Sequence, residues 1–403
     1  MPVREPMRIM IAPSGFKESI DAPTVAGAIA AGVHRVMPEA LIDTAPMVDG
    51  GEGSATAMAR STGGTVVPVR VDGPVGRTVP AHFGILGGPG PRTALVEMAA
   101  AAGLRLVPRD ARDPGRTSTY GVGTLIRAAL DEGCRRIIVG CGDSGTCDGG
   151  AGMLQALGAD VLDSAGAPIG RGGYEVARAT HLDVRGMDPR LRDTEIVLAC
   201  NPCNILTGPK GVAEVFGPQK GADAAQVRRL GAAMDNWAAL LAEHSGLDLR
   251  TAPGTGASGG LGAGAAGVLG ARLSPRFDVL LDGVDLDGRL AAADLVITAE
   301  GAIDFQTPNG KVPAEVARRA KLSGKPVIAL AGTIGRGAWR TYGAGIDAYT
   351  GIIAAPVDLG GAMEQAVALT TDAAERTLRL VLVGASLGAA AEQRPVAAAA
   401  CPA

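Results

Sequence analysis

Aromatic side chains are scarce, 3% of 403 residues, and no basic stripe offsets a net charge of −3. A nucleic acid would find few rings to stack on and no electrostatic track to follow, so RNA and DNA are disfavoured as partners. No stretch of about 18 strongly apolar residues exists, which argues against a membrane span. The run from Gly259 to Ala271 holds only glycine, alanine, leucine and valine, and is too short and too weakly apolar for that task. The first residues, Met1 to Arg8, carry charges and lead into a strand-like run, not into the apolar core of a signal peptide. Six cysteines at irregular spacings give no disulfide framework in a chain of this size, and cytoplasm is the default expectation. Lysine is rare, at positions 17, 210, 220, 311, 321 and 325 alone, so each lysine beside a glycine loop carries information.

What is abundant is glycine, 60 residues, in a chain that is 47% hydrophobic and 20% charged. That balance belongs to a compact globular enzyme. The glycines cluster beside acidic, hydroxyl and amide residues, as in loops shaped for close backbone approach. Met7 to Pro13 reads as a buried strand and Thr24 to Val36 as the helix after it. Ala40 to Met47 is a second strand candidate that runs into Asp49-Gly50-Gly51-Glu52-Gly53, with a helix over Ser54 to Arg60. The order strand, glycine loop, helix recurs at Arg136 to Leu157, at Ile196 to Ala199 and at Leu295 to Asp304. Pro326 to Ala331 and Gly345 to Ile353 read as further buried strands. Such alternation predicts an α/β fold with parallel sheets, whose ligands sit at the carboxyl ends of strands. Both chain ends are expected to build one domain, residues 1–75 with 286–390, around an inserted second α/β domain, 76–285. The cleft is expected between them, and the Pro- and Ala-rich residues 391–403 read as a flexible tail.

Phosphoryl transfer needs phosphate-binding amides, positive charge, groups that hold Mg²⁺, and a group that orients or deprotonates the attacking hydroxyl. The loop Asp49 to Gly53 sets two carboxylates around glycines at a helix start, although a turn with an acidic cap has the same composition. Ser14-Gly15-Phe16-Lys17 follows the first strand and lets a lysine reach a phosphate; the Walker A spacing is absent, and a capped helix entry reads equally well. The stretch Gly142 to Gly150 gathers Asp143, Ser144, Thr146, Cys147, Asp148 and Gly149 on a backbone free to bend. Gly217 to Gly221 presents Gln219 and Lys220 between glycines, and Gly254 to Gly260 enters a Gly/Ala helix that either cradles an anion or packs closely. Glu300, Asp304, Gln306 and Lys311 fall near the end of another strand. Cys200-Asn201-Pro202-Cys203 spells C-x-x-C, but zinc lacks further soft ligands and no helix opens there, so these cysteines read as buried small residues. His34, His82, His181 and His244 lie in ordinary contexts and none reads as a catalytic base.

Taken in order, IAPSGFKES, VDGGEGS, DGPVGR, VEMAAAAGL, CGDSGTCDGGAGMLQALGA, VFGPQKGA and DLVITAEGAIDFQTPNGKVP resemble the glycerate kinase family, over about residues 8 to 355. The resemblance implies two α/β domains, one discontinuous and flavodoxin-like, that use ATP and Mg²⁺ to convert glycerate to 2-phosphoglycerate. On it, Lys17, Asp49, Asp148 and Asp304 are expected as catalytic residues, and Glu52 and Glu300 as metal ligands. Ser14, Gly15, Gly50, Gly51, Gly142, Ser144, Thr146, Gly149, Asn201, Asn204, Gln219, Lys220, Gln306 and Lys311 are expected to bind substrate or phosphate. The partners implied are a nucleotide and a small anionic acceptor, and a homodimer is compatible with the reading.

The departures from the family pattern concentrate in the same loops. Pro13-Ser14-Gly15-Phe16-Lys17 stands where relatives usually read P-D-S-[FY]-K. Asp143, Gly145 and Cys147 alter G-G-S-A-T-N-D-G-G, Asn201 replaces the aspartate of D-V-T-N-P-L, and Ala302 replaces the arginine of G-E-G-R-I-D. An arginine lost there removes a bidentate carboxylate partner worth about 1.5–3 kcal/mol. Three expectations follow: a D-glycerate kinase, a kinase whose re-cut pocket takes another small hydroxy acid, a hydroxyalkylphosphonate or a polyol, and a catalytically silent binding homologue.

Overall fold

The computed structural model describes residues 6–16, 19–281 and 285–392. Along the chain the strands are β1 (Arg8–Ile11), β2 (Leu41–Thr44), β3 (Thr65–Asp72), β4 (Thr78–Leu86), β5 (Thr93–Glu97), β6 (Arg136–Gly140) and β7 (Asp160–Leu162). They continue as β8 (His181–Asp183), β9 (Glu195–Cys200), β10 (Arg272–Pro275), β11 (Leu295–Ile303), β12 (Val327–Ile334) and β13 (Ala348–Gly351). The chain forms two compact units, residues 1–47 with 284–403, and residues 48–283.

In the first unit the sheet order is β13-β12-β11-β1-β2, and every neighbouring pair is parallel. Counted within the unit, that is the 2-1-3-4-5 order of doubly wound flavodoxin-like sheets, with its switch point between β1 and β11. The strands are short and apolar because both faces are covered. Ile9, Ile11, Leu295, Ile297 and Leu330 are buried against Val25, Ile29 and Val33 of one helix and Ala374 and Leu378 of another. The first of these helices, Ala22–Val36, starts where Asp21 accepts the Thr24 N–H at 2.9 Å, and its apolar positions recur at helical spacing. The second, Ala366–Glu392, takes in the first two residues of the expected tail; residues 393–403 lie outside the described residues.

The second unit holds a sheet of order β10-β9-β6-β5-β4-β3 and a separate β7-β8 ladder. β10, β9, β6 and β5 run parallel, while β4 and β3 add an antiparallel edge. The β3–β4 ladder runs from Thr65↔Ile85 to Asp72↔Thr78, which places residues 48–75 with this unit and not with the first, as the sequence had suggested. Alternating apolar and polar residues in β3 suit a half-covered edge, a pattern the search for buried strands passed over. Phe83, Met98, Leu125, Ile137, Met153 and Trp237 are fully buried in its core, each contributing about 1.5–3 kcal/mol or more by leaving water. Among the described residues no helix is long and apolar enough to cross a membrane.

Candidate active site

The polar loops gather at the carboxyl ends of the parallel strands in each unit. In the first unit, the chain leaving β1 is pinned beside β11: the Ser14 N–H and hydroxyl both donate to the Ala299 carbonyl, at 2.9 and 3.1 Å. Gly15 follows at the same end; Lys17 lies outside the described residues. Beyond β11, Lys311 Nζ stands 3.5 Å from Asp304 Oδ1 and 3.7 Å from Glu300 Oε1. Asp304 is fixed further by the Gln306 N–H, which donates to Oδ1 at 2.8 Å. Gln306 thus uses its backbone here. Ser14 and Gly15 on one side of the switch point, and Glu300, Asp304 and Lys311 on the other, form one polar cluster where an open α/β sheet binds ligands.

In the second unit, the loop after β6 and the loop of residues 49–53 lie against each other. A methyl group added to Gly51 would sit 2.6 Å from Asp143 Oδ2 and 3.0 Å from Asp49 Oδ1, so two carboxylates flank this residue and would have to shift to admit a side chain. The Gly51 N–H donates to Asp49 Oδ1 at 3.0 Å and the Glu52 N–H to Asp143 Oδ2 at 3.4 Å. Asp143 holds a left-handed backbone, φ 53°, uncommon for a residue with a side chain. Arg276 stands 3.8 Å from Asp49 Oδ2. Glu52, expected as a metal ligand, pairs with Arg105 at 2.9 Å on a half-exposed surface. The other expected metal ligand, Glu300, belongs to the first unit and faces Lys311.

Lys220 is 3% exposed, and its ammonium donates to Ser144 Oγ at 2.9 Å and to the Thr146 carbonyl at 2.7 Å. Burial pushes it down to about 8, against the pull of Cys147 and Asp148. Gln219, its neighbour in sequence, is exposed. Asp148, expected among the reacting groups, is fully buried with both oxygens already engaged. It accepts the Thr119 N–H at 2.7 Å, the Thr119 hydroxyl at 2.9 Å, the Gly150 N–H at 3.2 Å and the Gly152 N–H at 3.3 Å. Burial pushes its carboxyl up from the ordinary range, opposed by these donors. These bonds tie the glycine turn to Thr119.

The same turn is held from two further sides. Trp237 donates its indole N–H to the Gly149 carbonyl at 2.9 Å. A methyl group on Gly259, whose φ is 74°, would lie 2.0 Å from the Thr146 carbonyl oxygen, so the turn before the helix core of Ala257–Leu269 packs directly on the loop. Of the two readings of that Gly/Ala segment, close packing accounts for its composition. At the end of β9, Asn201 Oδ1 accepts the Cys203 N–H at 3.0 Å, while Asn204 shares backbone bonds with Asn201 and Gly256. Cys200 is buried; Cys203 is exposed, contrary to its reading as a buried small residue.

Sequence reasoning passed over Glu97, Thr119, Arg105 and Arg276. Glu97 had a signal: an acid inside the apolar run Leu95-Val96-Glu97-Met98-Ala99 must be satisfied if that run is buried. The other three contact the site from distant segments and carry no local mark.

Were magnesium bound here, Asp49 and Asp143 would offer it the one or two carboxylates with which that ion is commonly held, water and phosphate oxygens completing its shell. Among the described residues, no group of three or more His, Cys, Asp or Glu side chains forms a closed cage. The donor set fits an ion shared with a phosphate better than a permanently held one.

Strand-end glycine loops, a buried lysine and paired carboxylates are among the parts that phosphoryl transfer asks of an α/β protein. The chain belongs to the Glycerate kinase family, whose sequence model matches residues 9–382. It is 45% identical over 373 residues to Glycerate kinase of Bacillus subtilis (strain 168), covering 93% of this chain and 96% of that one. It is 42% identical over 347 residues to Glycerate 2-kinase of Escherichia coli (strain K12), covering 86% and 91%. A crystal structure from Salmonella typhimurium LT2, provisionally named glycerate kinase 2, superposes with a TM-score of 0.76 at 42% identity, covering 94% of this chain and 100% of that one. The protein is therefore a kinase that transfers phosphate to a hydroxyl group.

Proposed function

We propose that the protein is an ATP-dependent D-glycerate kinase that forms 2-phosphoglycerate. The observation that supports it most is the buried Lys220 ammonium, bonded to Ser144 and the Thr146 carbonyl beneath the glycine loop after β6. Relatives named glycerate kinase and glycerate 2-kinase at 42–45% identity support the acceptor. Phosphoryl transfer asks of a protein mainly positioning and charge stabilisation. Lys220 supplies fixed positive charge under the loop whose Gly142, Ser144 and Thr146 are assigned to phosphate. Asp304, held by Lys311 and the Gln306 N–H, orients the attacking hydroxyl and accepts its proton. Lys311 offsets negative charge beside it, with Ser14 and Gly15 completing the anion-binding turn. Asp49 and Asp143 would hold Mg²⁺, which neutralises phosphate charge when bound. Free thiols at Cys134, Cys141, Cys147, Cys200 and Cys203 suit a reducing compartment such as the cytoplasm.

A coupled assay of ADP release with D-glycerate at millimolar concentration tests this reading. Turnover well above the no-acceptor background supports it; none removes glycerate as the acceptor. The second reading, a re-cut acceptor pocket, draws on Asn201 and Ala302, where the family's usual aspartate and arginine are missing. If it holds, the double variant Asn201→Asp, Ala302→Arg gains glycerate activity; if glycerate is already the natural acceptor, the double variant gains nothing.

A further inference from the structure

Glu97 ends β5, is 1% exposed, and has no part in the mechanism above. Both carboxylate oxygens are aimed at one target in a distant segment. Oε2 accepts the Gly53 N–H at 3.2 Å and Oε1 accepts the Ala55 N–H at 2.5 Å. Gly53, in a left-handed conformation, precedes the helix Ser54–Ser61 and offers no side-chain cap of its own. The amides that a helix start leaves unpaired are commonly met by a local serine or aspartate. Here a glutamate carried by the central sheet meets them instead, and ties the last residues of the 49–53 loop to the strand beside β6. A local cap would have satisfied the helix without fixing the loop to the sheet.

We propose that Glu97 is a positioning residue, whose carboxylate sets the Asp49–Gly53 loop, and with it the Asp49 and Asp143 carboxylates, against the end of the parallel sheet. The inference rests on the reading that this loop serves phosphoryl transfer. Protonation would turn one of the two oxygens into a hydroxyl and weaken the acceptor that faces one of the two amides, so loop order depends on the charge of Glu97. Burial pushes that carboxyl up to about 7, the Ala55 and Gly53 amides pulling it back, Glu52 adding to the rise and Arg105 opposing it. The other titratable group nearby, His82, shares a 3.3 Å hydrogen bond with Thr56 and is itself pushed down by burial and by Arg105.

The test compares the full-length wild type with Glu97→Gln by amide hydrogen exchange and by steady-state kinetics from pH 6 to 8. Expected in the variant are tenfold or faster exchange at Gly53 and Ala55, with Val122 and Ile126 of the core unchanged. A kcat about tenfold lower with KM values within threefold, and loss of the wild-type inflection of kcat near pH 7, are expected with it. Unchanged exchange at Gly53 and Ala55 overturns the inference. So does faster exchange with kcat and its pH profile intact, which would leave Glu97 a helix cap and no more. If the variant loses core protection, wild-type exchange decides: beyond the intrinsic pH effect, Gly53 and Ala55 must exchange faster as pH falls through 7, and a flat corrected rate refutes the proposal. A wild type inert towards glycerate counts against the acceptor assigned above, and the exchange comparison still decides the role of Glu97.

Discussion

The indole N–H of Trp237 donates to the carbonyl oxygen of Gly149 at 2.9 Å, joining the helix Ala224–Ser245 to the glycine turn that follows β6. Trp237 and Gly149 are both buried, so the carbonyl has no bulk solvent to turn to if the indole donor is removed. The turn also carries Asp148, bound by Thr119, and the carbonyl that Lys220 reaches. Its shape is therefore set by side chains from three other segments.

Trp237→Phe keeps a ring in the core and removes the donor. A buried carbonyl left unpaired costs about 1–3 kcal/mol. Urea unfolding is expected to show a lower midpoint at an unchanged m-value; an unchanged midpoint would mean that the bond contributes nothing net.

Lys220→Met fills the same space without the charge. Ser144 and the Thr146 carbonyl lose their donor, and phosphate loses a fixed positive neighbour. We expect kcat/KM to fall about a hundredfold, about 2.7 kcal/mol of transition-state stabilisation. Activity within threefold of wild type would remove Lys220 from the mechanism.

Gly51→Ala forces the new methyl group against Asp143 Oδ2 and Asp49 Oδ1. These are side-chain ends that can swing away, and the fold survives. Thermal midpoints within about 4 °C of wild type are expected, a change of about 1 kcal/mol or less, while the half-saturating Mg²⁺ concentration rises at least fivefold. Gly259→Ala is the contrast. Its methyl group meets a backbone carbonyl at 2.0 Å from a left-handed residue, so the soluble yield or the thermal midpoint should drop sharply.

Glu97 makes stability depend on pH. Its carboxyl titrates at about 7 in the folded protein against the ordinary value of 4.5. The folded state thus holds a proton that the unfolded chain releases between those values. Stability from this group is fully present below pH 4.5 and is lost as pH rises to 7, by about 3 kcal/mol. Denaturant titrations of wild type and Glu97→Gln between pH 5 and 8 should show that slope in the former and a shallower one in the latter. Equal slopes would place the carboxyl nearer its ordinary value.

Asp304→Asn keeps the hydrogen bond from Gln306 and removes the base. A fall in kcat of about 10² to 10⁴ is the usual consequence of losing such a group, with the thermal midpoint preserved. A loss of less than fivefold would assign Asp304 to holding Lys311 alone.

The periodic, apolar parts of the molecule were legible from composition and spacing. A strand was expected to open at Arg136, where β6 starts, and β9, β11 and β12 start within one residue of their expected positions. Less legible was the antiparallel edge β3–β4, where a proline and partly exposed valines blur the strand pattern, and with it the start of the second unit. The burial of Asp148 was not legible: a run of glycines and hydroxyls looks the same around an open carboxylate and around an enclosed one, and Thr119, which binds it, lies 29 residues away.

The sequence by itself determined the α/β class, the glycine loops at strand ends and the membership of a kinase family, since each is written in local runs of residues whose periodicity and turn chemistry act over a few positions. Only the tertiary structure decided which polar residues are engaged by the protein itself. Asp148 is saturated by Thr119 and two loop amides, Lys220 is enclosed beneath its loop, and Glu97 is aimed at amides from another segment. Hydrogen bonding and desolvation depend on what lies within a few ångströms in space, and that neighbourhood is assembled only when distant segments pack.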